Sequence, residues 1–183
     1  MAPTDPLRRG RRVHIRHPHA GDRDAFLASV RRSRGLHRPW IDPPADGEAF
    51  RAFVRTAATP TGQRFVICTN ADGALVGVAN LSQIFHGPFR NAYLGYYAFT
   101  PYDRQGLMKE GLQLTIRQAF GTLHLHRIQA NVQPGNERSI ALLRSLGFSE
   151  EGYARRYLKI GGRWRDHVLF ALLADDRGPR RRA

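Results

Sequence analysis

Apolar and polar positions along the chain change period several times, and each change marks an element. Val13 and Ile15 alternate with polar neighbours in "RVHIRH", the pattern of a short strand. From Ala20 to Gly35, "AGDRDAFLASVRRSRG" spaces its apolar residues as a helix does, with Asp22 in the first turn and Gly35 as a stop. "RPWIDPPADG" is punctuated by prolines and reads as loop, and "EAFRAFVRTAA" as a second short amphipathic helix. Three strands follow: "RFVICTN" and "ALVGVANLSQIF", joined by the turn Asn70–Gly73, and then "NAYLGYYAFT". A helix is predicted from about Gln105 to Phe120, with Leu107, Met108, Leu112, Ile116 and Ala119 on one face. "HRIQANV" is a strand and "NERSIALLRSLG" a helix closed by Gly147. "FSEEGYARRYLKIGG" is a strand turning through two glycines into a last strand, "GRWRDHVLFALL".

The predicted order, β-α-α-β-β-β-α-β-α-β-β, lacks the regular alternation of a doubly wound sheet. It implies a mixed α/β (α+β) class, with a largely antiparallel central sheet flanked by helices.

Composition narrows the setting. At 183 residues, 42% hydrophobic and 24% charged, the chain suits one globular domain with a genuine core. No run approaches the roughly 20 apolar residues of a membrane span. The N-terminus has no apolar stretch after its basic residues, so it is not read as a secretory signal. A lone Cys68 cannot form an internal disulfide, and the expected compartment is cytoplasmic. The formal charge of +14 rests almost wholly on arginine, Lys109 and Lys159 being the only lysines. Such a charge attracts nucleic acid, nucleotide phosphates or acidic protein surfaces. The ends carry much of it and read as solvated tails. The expected organisation is a basic leader over 1–12, a single domain over 13–174, and a basic tail over 175–183.

The stretch "YDRQGLMKEG", Tyr102 to Gly111, carries the first candidate chemistry. A helix that starts just after a strand leaves its first N–H groups without intrahelical partners, and with the dipole they make an anion site. Gly106 lets an anion approach the backbone, with Arg104 and Lys109 on either side. A glycine turn among ordinary surface cations would read the same way.

The context is more specific. Past this helix, a strand leads into "NVQPGNERSIALLRSLGF", and the whole order resembles the GNAT superfamily of acetyl-CoA-dependent N-acetyltransferases. The C-terminal part, through "EGYA", "YLKI" and "GRWRDHVL", is similar to the RimJ/RimL-type ribosomal-protein-alanine acetyltransferases. The resemblance implies a GNAT fold with a splayed sheet. It implies acetyl-CoA as cosubstrate, no metal, and coenzyme pyrophosphate on a loop of pattern Q/R-x-x-G-x-G/A. Here Asp103 stands at the first position and Met108 at the last; Asp103 is read as a helix cap turned to backbone N–H groups.

By the same resemblance, residues Arg104, Gln105, Gly106, Leu107, Met108 and Lys109 hold the pyrophosphate. Backbone N–H groups near Tyr97, Ala98 and Phe99 face the thioester and pantetheine, and one stabilises the oxyanion. Asn136 bonds the pantetheine, or simply caps its helix. Ser139 stands in for the tyrosine that many relatives carry four residues on, where this chain has Leu143. The base is sought at Glu110, with Glu151 and Asp166 as alternatives. His167 reads as a strand residue with a satisfied ring. Trp40 either walls the acceptor entry or pins its loop, and Gln83–Arg90, bearing Phe85 and Phe89, is a second candidate wall. The implied partner is a protein N-terminus, with ribosome or RNA contact through the basic surface as a further possibility. A small amine, such as an antibiotic or amino acid, is the alternative acceptor. Against RNA, the arginines are spread along the chain instead of alternating with aromatics on one strand face.

Overall fold

The structure is a computed structural model that describes residues 5–177. Residues 1–4 of the leader and 178–183 of the basic tail lie outside the described residues. The elements are β1 (Arg8–Arg9), β2 (Val13–Arg16), α1 (Arg23–Arg32), α2 (Arg34–His37), α3 (Gly47–Arg55), β3 (Ala58–Thr59), β4 (Gly62–Thr69), β5 (Leu75–Phe85) and β6 (Asn91–Ala98). There follow α4 (Leu107–Arg117), β7 (Arg127–Val132), α5 (Glu137–Ser145), β8 (Ser149–Ile160) and β9 (Arg163–Leu173). One sheet takes all nine strands in the order β1-β2-β4-β5-β6-β7-β9-β8, with β3 paired to β4. Every pairing is antiparallel except β6 with β7. This is the mixed α/β architecture, with a largely antiparallel sheet flanked by helices, that the sequence predicts.

The central strands are buried on both faces, which explains their continuous apolar runs. In β4, Phe65 and Ile67 enter a core with Leu107, Leu112, Leu114 and Ile116 of α4 and Leu143 of α5. Val66 and Cys68 enter a second core on the other face, with Phe26 and Val30 of α1 and Phe50 and Phe53 of α3. The sheet thus separates α4 and α5 from α1 and α3. Gly77 lets α4 lie close to β5 and β6: a Cβ there would collide with the Met108 sulfur and stand 2.5 Å from the Tyr97 carbonyl oxygen. A buried ion pair, Arg16 to Asp22 at 2.7 and 2.8 Å, ties β2 to the turn that opens α1.

Three local readings change. The helix expected to run to Gly35 breaks at Ser33, and Gly35 lies inside the following turn, α2. Ser33 Oγ donates to the Ser29 carbonyl and accepts the N–H of Thr100, so the side chain competes with the helix ladder and fastens the break to the sheet. The helix α4 starts at Leu107 and gives way to a wider π turn at Gln118–Thr122. The leader is not a solvated tail where it is described. Arg8 and Arg9 pair with Ile15 and His14, and the Arg8 guanidinium reaches Gln118 and Thr122 beyond α4. Among the described residues, no helix is long and apolar enough to cross a membrane.

Burial holds the His14, His37 and His167 imidazoles below their ordinary value of 6.5. The unfolded chain therefore takes up protons on these rings at a higher pH than the folded chain does. Their contribution to stability is intact above about pH 6.5 and is lost as the pH falls from there through the folded values. Thermal melts should show a falling Tm between about pH 7 and pH 5, with a smaller fall in His37→Gln. A flat Tm across that window would contradict the burial of these rings.

Candidate active site

β6 and β7 are paired only from Asn91–Tyr93 to Arg127–Gln129. Beyond Tyr93 they part, and the edge of β6 facing the gap has no strand to pair with. Hydrogen-bond parity decides what that edge offers. Phe99 N–H donates to the Val76 carbonyl at 2.8 Å, and Tyr97 lies opposite Val78 in the same register. In an antiparallel pair alternate residues point their N–H groups inward. The N–H groups of Tyr97 and Phe99 therefore belong to the β5 ladder, while those of Tyr96 and Ala98 face the gap. The Ala98 carbonyl accepts from His37 Nε2 at 2.8 Å. Since a carbonyl only accepts, that nitrogen carries the hydrogen and Nδ1 is bare in the neutral ring. Nδ1 is buried without a partner.

The gap opens into a cleft of about 770 Å³. Tyr96, Tyr97 and Ala98 form one side, Asn136, Ser139 and Leu142 another, and Arg104, Gly106, Met108 and Lys109 close one end. His37, Trp40 and Ile41 wall it from the α2 side. The sequence pattern thus brings eight of its candidates together here: Tyr97, Ala98, Arg104, Gly106, Met108, Lys109, Asn136 and Ser139.

At the closed end, Arg104 and Gly106 both have left-handed backbone, φ 61° and 74°. These turns aim the chain so that α4 begins pointing into the cleft. The amides of Leu107, Met108 and Lys109 lie in its first turn, with no helical carbonyl before them. Gly106 is the N-cap and no side chain caps the helix, so Asp103 does not play the capping part expected of it; it lines the cleft instead.

On the facing helix, Asn136 is the N-cap of α5, its Oδ1 accepting the Ser139 N–H at 3.3 Å. Ser139 has a partner that sequence reasoning missed. The Tyr96 hydroxyl lies 2.6 Å from Ser139 Oγ and donates to the Ser139 carbonyl at 3.2 Å. This bridge joins the free edge of β6 to α5 across the gap. Burial pushes the Tyr96 phenol up to about 12, against the smaller lowering effect of the Ser139 hydrogen bond. Leu143 is wholly buried in the core and takes no part.

Trp40 fits both readings given to it: its ring lies against Gly135 at the cleft wall, and its carbonyl accepts from Gln133 Nε2 at 3.1 Å. A second cavity of about 620 Å³ lies alongside, and Ile41, Tyr96 and Tyr97 line both. Its other walls include Pro43, Pro44 and Phe53, with Asp42, Arg64 and Asn80 as polar groups. The Asn80 Oδ1 and the Tyr97 hydroxyl are buried without partners.

The remaining candidates are not brought to the cleft. Phe99 is fully buried, its ring edge-on to Phe26, and its N–H is taken by β5. Leu107 packs into the core under α4. Gln105 is turned outward, its amide on the Pro101 carbonyl. The Glu110 carboxylate accepts from the Arg12 N–H at 2.7 Å and from Arg12 Nε at 3.1 Å, with a longer bond from Val13 N–H. Those bonds outweigh its partial burial and hold its carboxyl below the usual range, so it is poorly suited as a base. Glu151 is bound to Arg127, and Asp166 to Tyr153 and the Arg156 N–H, and both are held low by these partners. Phe85 and Phe89 meet as tilted rings, centroids 5.7 Å apart, at the far end of β6 and line neither cavity.

The sequence and the fold are similar to those of known proteins. A family model described as an acetyltransferase (GNAT) domain matches residues 12–149. The ribosomal protein uS5-alanine N-acetyltransferase of Escherichia coli (strain K12) is 50% identical over 107 residues, 58% of this chain and 55% of that protein. The match thus spans about half the length of that curated relative. Mycobacterium smegmatis RimJ, solved in complex with CoA-disulfide, superposes with a TM-score of 0.81 at 29% identity, covering 91% of this chain and 84% of that one. The ribosomal-protein-S5-alanine acetyltransferase of Vibrio fischeri superposes with a TM-score of 0.79 at 28% identity, covering 93% and 98%. With its splayed sheet, its helix start at the cleft and a model match over most of its length, the chain belongs to the GNAT acetyltransferase family.

Proposed function

We propose that this chain transfers the acetyl group of acetyl-CoA to the N-terminal α-amine of a protein, with an alanine-starting ribosomal protein as the acceptor. The observation that carries the reading is the meeting of two cavities across Tyr96 and Tyr97, at a strand edge whose Ala98 N–H is unspent. One cavity suits the coenzyme and the other the amine. The name of the Escherichia coli relative supports a protein N-terminus over a small amine.

Acetyl-CoA supplies an acetyl group activated as a thioester. The first-turn amides of α4 and the Arg104 and Lys109 side chains suit its pyrophosphate, a dianion that favours a helix start. The free edge of β6 suits the pantetheine arm, which can pair there as an added strand. As the amine nitrogen bonds to the carbonyl carbon, the Ala98 N–H is the donor available to the oxygen that gains charge. When the carbon–sulfur bond breaks, its electron pair stays on sulfur. With the Tyr96 phenol turned to donate to Ser139 Oγ instead of the Ser139 carbonyl, the Ser139 hydroxyl hydrogen is free to be given to that thiolate. A phenol pushed up to about 12 stays protonated at working pH, so Tyr96 orients and donates without ionising. The amine needs little help to become neutral, because an α-amino group has a pKa of about 7.7–8.0. Its proton can leave to water through the second cavity, whose rim carries the exposed Asp42.

The acceptor reading is tested by assaying acetyl transfer to alanine-starting peptides beside a panel of small amines. The peptides should be the better substrates by kcat/KM; equal or better transfer to a small amine would overturn it. Tyr96→Phe should lower kcat about 10-fold or more while leaving acetyl-CoA affinity nearly unchanged. An unaltered kcat would remove the Tyr96–Ser139 pair from the mechanism. Gly106→Trp should weaken acetyl-CoA binding and keep a cooperative melt, and wild-type affinity in that variant would count against the phosphate loop.

A further inference from the structure

β7 ends at Val132, opposite Val168 of β9. The hairpin of β8 and β9 continues past that point to the turn at Gly161 and Gly162, so its outer half has no third strand. Over Arg163–His167 it projects about 17 Å beyond the sheet. Since β7 runs parallel to β6, the projection lies at the cleft end of the molecule.

This outer half is electrically one-sided. Arg155, Arg156, Lys159, Arg163 and Arg165 fall within it, and no Asp or Glu occurs from Gly152 to Arg165. Among the described residues, none of the five is in an ion pair. The nearest acid, Asp166, is occupied by the Tyr153 hydroxyl at 2.6 Å and the Arg156 N–H at 2.7 Å. The same segment carries exposed rings, Trp164 at 61% and Tyr153 at 55%. Tyr153 lies opposite Val168, and Trp164 is four residues before it on β9, so both rings occupy one face about 13 Å apart. Lys159, opposite Trp164, stands on that face too. Arg163 and Arg165 flank Trp164 on β9 and point to the other face, so the hairpin carries cations on both faces and both rings on one. A second copy of the chain would set one cluster of unpaired cations against another, so self-association through this hairpin is opposed.

We propose that the outer half of the β8–β9 hairpin binds single-stranded RNA, with phosphates on its arginines and bases stacked on Trp164 and Tyr153. The inference is independent of the acceptor assigned to the cleft. Binding is measured by fluorescence anisotropy of a fluorescein-labelled oligouridylate of about 16 nucleotides with the full chain. Affinity should fall steeply with salt. Arg155→Ala/Arg156→Ala/Arg163→Ala should reduce the slope of log affinity against log salt by about two. Trp164→Ala should weaken binding about 10-fold. Both variants alter exposed side chains only, and retained acetyl-CoA affinity checks their fold. The inference is overturned if the oligouridylate does not bind, or if both variants bind it as the wild type does. It is also overturned if poly-glutamate binds as tightly with the same dependence on Trp164, since the surface would then be a dock for acidic protein.

Discussion

Just after Tyr93, two parallel strands let go of each other, and the chemistry proposed for this protein depends on that parting. A strand edge in the middle of a sheet is ordinarily covered by its neighbour. Here the alternation of β6 against β5 leaves the Tyr96 and Ala98 amides facing an open gap. The opening exists because β7 pairs with β6 for only three residues and then continues to Val132 paired with β9 alone. The Tyr96–Ser139 bridge then spans the gap at its base, so the wedge is held at a set width by side chains instead of by a ladder.

The rest of the fold keeps that wedge in place. Burial on both faces of β4 and β5 makes a rigid central plate, with α4 against one side and α1 and α3 against the other. Because Gly77 has no side chain, α4 sits close enough for Met108 to rest on β5 while the first turn still opens on the cleft. The break at Ser33 has a similar effect on the other face. It redirects the chain so that His37 and Trp40 reach the cleft wall, and it joins that corner to Thr100 just before the turn that opens α4.

Elements with strong periodicity were legible in the sequence: the buried strands, the apolar face of α4 and the glycine stop of α5. The family pattern located both cleft-facing helix starts, and with them Gly106, Asn136 and Ser139. What escaped notice depended on contacts distant in sequence. Tyr96 looks like any strand tyrosine until α5 is placed 43 residues later and its hydroxyl meets Ser139. His37 sat in a segment whose helix break is set by a tertiary hydrogen bond from Thr100, which no local propensity encodes. Glu110 was attractive as a base because of its place in the first turn of a helix. Its carboxylate faces away because Arg12 lies close enough to bind it, 98 residues earlier in the chain. The amides expected at Tyr97 and Phe99 are turned away by parity, since consecutive strand residues point their amides in opposite directions and of the three only that of Ala98 faces the gap.

That partnership between Arg12 and Glu110 reaches further than the base. The same guanidinium holds the Gln105 carbonyl at 3.0 Å, and the adjoining strand pairs Arg8 and Arg9 with β2. The segment from Arg8 to Arg12 is therefore a brace for the turn that would receive the coenzyme's phosphates. Whatever loosens the Arg12 side chain is felt in the backbone at Gln105, one residue before the Gly106 turn that opens α4 onto the cleft.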